Sequence, residues 1–146
     1  MAMHTWFECK IRYEKTMENG MNKKVTEPYL VDALSFTEAE ARIIEEMTPF
    51  ISGEFTVSDI KRANYSELFP SDEESADRWF KCKLIFITLK TSTQVLVQAA
   101  DLRDAVKKLD EGMKGTMADY QIASVAETAI MDVYPYSAEP DDKPEV

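Results

Sequence analysis

The chain opens on an alternation. In "WFECKIRYEK", Phe7, Cys9, Ile11 and Tyr13 take every second place, with Glu8, Lys10, Arg12 and Glu14 between them. A period of two predicts a strand buried on one side. "MENGMNKK" follows, and its Asn19-Gly20 pair predicts a hairpin turn. "VTEPYLVDA" is the returning strand, with Pro28 pointing to an edge or a bulge because it lacks an N–H. The period then lengthens. Phe36, Ala39, Ile43 and Met47 form one helical stripe, with Ser35 as cap and Glu38 completing a capping box. Pro49 stops the helix, and "EFTVSDI" (54–60) restores the strand period.

The same order is then written again. "WFKCKL" (79–84) repeats "WFECKI" (6–11) at an offset of 73. "VLVQA" (95–99) repeats "YLVDA" (29–33) at an offset of 66, and that offset also pairs Ser35 with Asp101, Phe36 with Leu102 and Met47 with Met113. "DYQIASV" (119–125) repeats "EFTVSDI" at an offset of 65, as Pro135 does Pro70. The matches keep their order, and the register drifts only where loops tolerate insertion. In the second copy "KCKLIFITLK" and "QVLVQAA" form the hairpin, joined through "TST". Asp101 caps a helix carrying Leu102, Ala105, Val106, Leu109 and Met113, which Gly112 and Gly115 close.

The fold class expected is α+β: an internal duplication of a strand–strand–helix–strand unit, with six strands and two helices. Its inner run has ferredoxin-like order, preceded by an extra N-terminal strand. The pattern leaves open whether the halves share one sheet or form two. "LIFITL" is apolar on both sides, which predicts a strand that is central or at the junction between the halves. The organisation expected is one pseudo-twofold domain over 1–136, with copy one at about 5–70, an acidic linker at 71–77, copy two at about 78–136, and a disordered acidic tail at 137–146.

Charge sharpens this division. The net charge is −10, of which 71–77 carries −4 and 137–146 carries −3. The remaining body is near neutral, so the acidity keeps linker and tail solvated and argues against a general DNA-binding protein. No apolar run approaches the ~20 residues that span a bilayer. The start has no secretory pattern and two cysteines make a poor disulfide framework, so a cytoplasmic location is expected.

Candidate chemistry is sparse. There is no glycine-rich phosphate loop, no nucleophile elbow and no paired-cysteine motif. The single histidine, His4, stands near the start, and "SDEESAD" lacks the spacing of a calcium loop. No catalytic residue, metal site or cofactor is assigned. Cys9 and Cys82 fall on the apolar sides of their strands, as buried hydrophobes do. The candidate binding residues lie on the opposite sides: Trp6, Lys10 and Arg12 on one strand, Trp79, Lys81 and Lys83 on its copy. Rings flanked by cations on an open sheet suit single-stranded nucleic acid, where rings stack on bases and cations meet phosphate. Glu8 and Glu14 on the same side weaken that reading, and tryptophans that seal a junction between the halves, with lysines that are ordinary solvated strand residues, are the simpler explanation of the pattern.

"WFECKIRYEK", "VTEPYLVDALSFTEAEARIIEEM", "IKRANYSELF", "EGMKGTMADY" and "AETAIMDVYPY" resemble an uncharacterised domain family of Bacteroides-type bacteria and their phages or mobile elements. The resemblance covers residues 4–136 and implies a small cytoplasmic or phage-encoded protein. It carries no catalytic or binding residues with it. The function expected is therefore a non-enzymatic binding protein working through protein–protein contact. Single-stranded nucleic-acid binding through the Trp/Lys faces is the second reading. Small-molecule or nucleotide binding between the halves is the third.

Overall fold

The structure, a computed structural model, describes residues 5–116 and 119–135. These residues form an α+β fold of two helices and eight strands in two sheets. The chain divides into two compact units, residues 5–63 with 132–135 and residues 64–131.

In unit 1, β1 (Trp6–Thr16) and β2 (Asn22–Asp32) form an antiparallel hairpin, α1 (Phe36–Met47) follows, and β3 (Phe55–Ala63) returns beside β1. Gly20 takes a positive φ of 83° in the hairpin turn, as the Asn19-Gly20 pair predicts. The alternation of β1 resolves into two faces. Phe7, Cys9 and Ile11 are buried with Val31 of β2 against Ala39, Ile43 and Met47 of the helix. Ser35 accepts from the Glu38 N–H, a donor the helix leaves unpaired, while Glu38 reaches one residue past the expected partner of a capping box and accepts from the Leu34 N–H.

Unit 2 repeats that order with β5 (Arg78–Phe86), β6 (Thr91–Ala99), α2 (Leu102–Gly112) and β7 (Tyr120–Glu127). Asp101 and Asp104 make the same pair of capping bonds, to the Asp104 and Ala100 N–H groups. The likeness extends to an irregularity. The β1–β3 register slips between Lys10 and Ile11, and the β5–β7 register slips between Lys83 and Leu84, the positions equivalent at an offset of 73. Each slip leaves one extra residue on the outer strand, Ser58 in one and Ala123 in the other. β5 is interior to its sheet, with β6 on one side and β7 on the other, but only Leu84–Phe86 of "LIFITL" belong to it, and Ile87 and Leu89 lie exposed in the turn beyond.

Three details differ from expectation. First, there are eight strands, not six, because β4 (Glu67–Phe69) and β8 (Val133–Tyr134) each close a sheet. They run parallel to their neighbours, and each lies with the other copy: β4 follows β3 in the chain but pairs with β6, and β8 follows β7 but pairs with β2. The strand orders are β3-β1-β2-β8 and β4-β6-β5-β7. The run expected to be ferredoxin-like is thus divided between two four-stranded sheets, and the compact units do not coincide with the sequence copies. Second, the turn of the second hairpin is formed by residues 87–90, while "TST" (91–93) belongs to β6. Lys90 takes a φ of 56°, a conformation that glycine supplies at lower cost. Third, the first residue of each helical stripe, Phe36 or Leu102, stays about half exposed.

The acidic segment 71–77 is built into unit 2. The Ser71 N–H donates to the Gln98 side chain at 2.9 Å, Glu73 pairs with Lys108 at 2.8 Å, and Ala76 is buried. The expected tail at 137–146 and His4 lie outside the described residues.

Candidate functional site

The six candidate binding residues fall, as the alternation predicts, on the sheet faces that point away from the helices, three in each unit. Their exposure is not what a base-stacking platform needs. Trp6 and Trp79 are each only 4% exposed, and Leu30 and Leu96 on the same faces are wholly buried. A buried ring presents no face to a base. Around Trp6 the cations stand opposite acids: Lys10 is the register partner of Asp59, and Glu8 of Lys61. Arg12 is exposed between Thr26 and Thr56. In unit 2, Lys81 and Lys83 are exposed beside uncharged residues, Leu96 and Ala126 for one, Gln94 and Ser124 for the other.

Both cysteines are buried and unbridged. Burial, with Glu8 and Asp59 nearby, pushes the Cys9 thiol up to about 12, and burial alone pushes Cys82 up to about 11. Neither is a thiolate at neutral pH, so neither has the character of a nucleophile or redox sensor.

Side chains that the sequence pattern did not single out gather on the helix side of unit 1. Glu27 accepts from the Tyr13 hydroxyl at 3.0 Å, the Tyr29 hydroxyl at 3.1 Å and the Lys15 ammonium at 3.3 Å. Burial and then Glu27 raise the pKa of both phenols. They remain hydrogen-bond donors at neutral pH, and Glu27 is a satisfied carboxylate, not a free base. Tyr134 of β8 stacks on Tyr29 at 6.2 Å, and burial, Asp132 and Glu46 push its hydroxyl up to about 12.

A helix cation closes each unit. In unit 1 Arg42 donates to the backbone oxygens of Asp32, Tyr134 and Pro135. In unit 2 Lys108, its equivalent at an offset of 66, donates to Ser71 Oγ and pairs with Glu73 and Asp104. Each cation grips the segment that follows the parallel closing strand. The repeat register contained this signal, because it aligns Arg42 with Lys108 and Pro135 with Pro70.

Two surfaces of unit 1 offer contact to something else. The first lies at the start of α1. Leu34 is 77% exposed and Phe36 50% exposed, with the Phe36 ring edge-on to Phe7 at 4.9 Å and the Arg62 guanidinium 5.6 Å from the centre of the Phe7 ring. The second is an open cavity of about 650 Å³ at the far end of the strands, where Arg12, Lys24, Glu14 and Glu54 line the wall with Tyr13 and Phe55. Among the described residues no cluster of histidine, cysteine, aspartate or glutamate is arranged to hold a metal ion, and no helix is long and apolar enough to cross a membrane.

The described residues thus define an α+β protein of two like units, each with a four-stranded sheet and one helix. The chain belongs to the family described as Domain of unknown function (DUF4494), which it matches over residues 5–136. No curated protein and no solved structure matches it.

Proposed function

We propose that this is a non-enzymatic binding protein that works in the cytoplasm through protein–protein contact, on the surface formed by Leu34, Phe36 and Arg62. The observation that carries the reading is a half-exposed aromatic ring, Phe36, edge-on to the buried Phe7, whose ring also has the exposed Arg62 guanidinium 5.6 Å from its centre. Aromatic and arginine anchors dominate binding energy at protein interfaces, and a ring pre-positioned by packing loses little entropy when it binds. Phe36 gains its position by capping Phe7, and Arg62 by standing opposite Phe7 in the β1–β3 register. A partner that fits offers an apolar pocket bordered by a carboxylate. The resemblance to a family of Bacteroides-type bacteria and their phages or mobile elements supplies the setting.

The proposal includes an origin by duplication. Its support is the shared element order, the paired capping bonds, the equivalent register slips and the aligned helix cations. A chain with two like units presents one surface in two chemical versions, and only unit 1 carries the aromatic and cationic one.

The test is co-purification from the native host with the full chain as bait. The expected result is a partner retained by the parent chain and by Leu102→Ala, but lost in Phe36→Asp/Arg62→Glu. A partner retained equally by the Phe36→Asp/Arg62→Glu variant would sink the reading.

A second reading rests on the cavity of about 650 Å³, which falls within the range of small-molecule sites. Its wall alternates cations and acids, so it suits a small zwitterion better than a nucleotide. Amide shifts confined to Arg12, Lys24 and Thr56 on titration with free amino acids would favour it.

A further inference from the structure

Among the described residues, the closing strand of unit 1 is held by contacts made within that unit. Its ladder consists of Leu30 paired with Val133 and Val31 paired with Tyr134. The Leu30 N–H donates to the Asp132 carbonyl at 3.0 Å, Tyr134 stacks on Tyr29, and Arg42 takes the Tyr134 and Pro135 carbonyls. The closing strand of unit 2 is tied more firmly. It has three ladder pairs, a bond from the Ser66 N–H to Gln94, another from the Ser71 N–H to Gln98, and the Lys108–Glu73 pair beyond. Before β8, the Thr128 N–H and hydroxyl both bind the Trp79 carbonyl, which ends the β7 ladder; only residues 129–131 then lead to Asp132. Beyond β8, no strand among the described residues pairs with the outer side of β2 over residues 22–29.

From this geometry we infer that the β2 edge with Arg42 is a strand-acceptor site, and that a second copy of this chain docks there by placing its own residues 132–135 in the position the resident segment holds. The occupant follows from what is already seated. The groove takes an aromatic side chain on Tyr29, and Arg42 reads the two carbonyls that follow; this chain's own segment carries the tyrosine that meets those demands. Each contact is with residues of unit 1, so a segment arriving from another chain would make every one of them unchanged. The closed and exchanged forms then differ mainly in the strain of the short connection and in the effective concentration of the resident segment. A connection of a few residues between two strands limits how far the segment can relax in the closed form, and short hinges favour exchange. The chain holds a precedent of its own: β4 shows that the same kind of groove, beside β6 and Lys108, accepts a segment from the other copy of the repeat.

The test is sedimentation velocity on the full chain, incubated over a series of rising concentrations. The expected result is a dimer whose share rises with concentration and equilibrates slowly, since each closed chain must first open. The closed and exchanged forms share this contact, so Tyr134→Ala weakens both alike: it should speed opening and bring the chain to its equilibrium dimer share sooner than the parent, while Tyr134→Phe, which keeps the ring, should equilibrate at the parent's pace. Lengthening the connection with glycine and serine residues inserted after Ala129 relaxes the closed form, and should lower the dimer share at a given concentration at least about tenfold. A chain that stays monomeric throughout the parent series overturns the inference. So does a dimer whose share and rate of formation neither the insertion nor Tyr134→Ala alters, which would place the contact elsewhere.

Discussion

Unit 1 and unit 2 share a backbone plan and differ in what fills it. At the helix side of unit 1 stand Tyr13, Glu27, Tyr29 and Tyr134; the equivalent places in unit 2 hold Phe86, Thr93, Val95 and Phe69. At these places one unit gathers hydroxyls around a carboxylate, while the other packs Phe69, Phe86 and Val95 against its apolar core and leaves Thr93 to bond Ser66. The helix ends differ to match. Phe69 lies so near Gly112 that a β-carbon there would stand 2.8 Å from the ring. In unit 1 the equivalent of Gly112 is Glu46, which raises the pKa of Tyr134. The surface at the helix start differs most. Leu34, Phe36 and Arg62 become Ala100, Leu102 and Glu127, so the cation is replaced by an acid, and Glu127 is paired with Arg78 at 3.7 Å. The two units share strands, caps and bulge positions and differ in the chemistry of this surface, which is why the proposed contact is placed on unit 1.

The comparison can be broken first at the helix cations. Arg42→Ala leaves the Asp32, Tyr134 and Pro135 oxygens without the guanidinium that serves them, and is expected to cost about 2 kcal/mol. Lys108→Ala removes side-chain ion pairs near the surface and should lower the denaturation midpoint less. Equal losses in urea unfolding would show that the two cations do the same work. Next comes Gly112→Ala. Alanine favours the helix by about 1 kcal/mol, but crowding the Phe69 ring costs about 1–3 kcal/mol, so the net expectation is a lower midpoint. A rise in the midpoint would mean that the ring yields freely.

The third prediction concerns pH. The Tyr134 phenol titrates near 10 in the unfolded chain and near 12 in the folded one. Its contribution is complete below pH 10 and is lost as pH rises through 10 toward 12, because the unfolded chain gives up that proton first. Tyr134→Phe should flatten the fall in stability over that window, and Phe69→Tyr in unit 2 should not. The smallest effect is expected at the second hairpin. Lys90→Gly relieves a left-handed lysine and should stabilise the chain by at most about 1 kcal/mol, while Gly20→Ala in the first hairpin should destabilise it by a similar amount.

Much of this was legible in the sequence for physical reasons. A period of two carried over ten residues leaves little choice of structure for "WFECKIRYEK", and a capping residue three places before an acid marks each helix start. The resemblance to an uncharacterised domain family agrees with the family the chain belongs to. What escaped was whatever depends on distant partners. Val133–Tyr134 and Glu67–Phe69 are too short to show a period, and their place beside β2 and β6 is encoded by edges that no local pattern describes. Trp6 and Trp79 stand at polar-side positions in the alternation, where the local pattern allowed either an exposed platform or a buried seal, and both are buried. Glu27 reads as an ordinary strand residue until Tyr13, Lys15 and Tyr29 are seen to converge on it.

The central claim is that each closing strand lies with the other copy of the repeat. Nuclear Overhauser contacts across the parallel ladders test it most directly, in uniformly labelled full-length protein. The account predicts backbone contacts between Leu68 and Leu96 and between Val31 and Tyr134. Contacts that instead put Leu68 beside Leu30 and Tyr134 beside Val97 would show each strand closing the half of the chain it follows, and would contradict it.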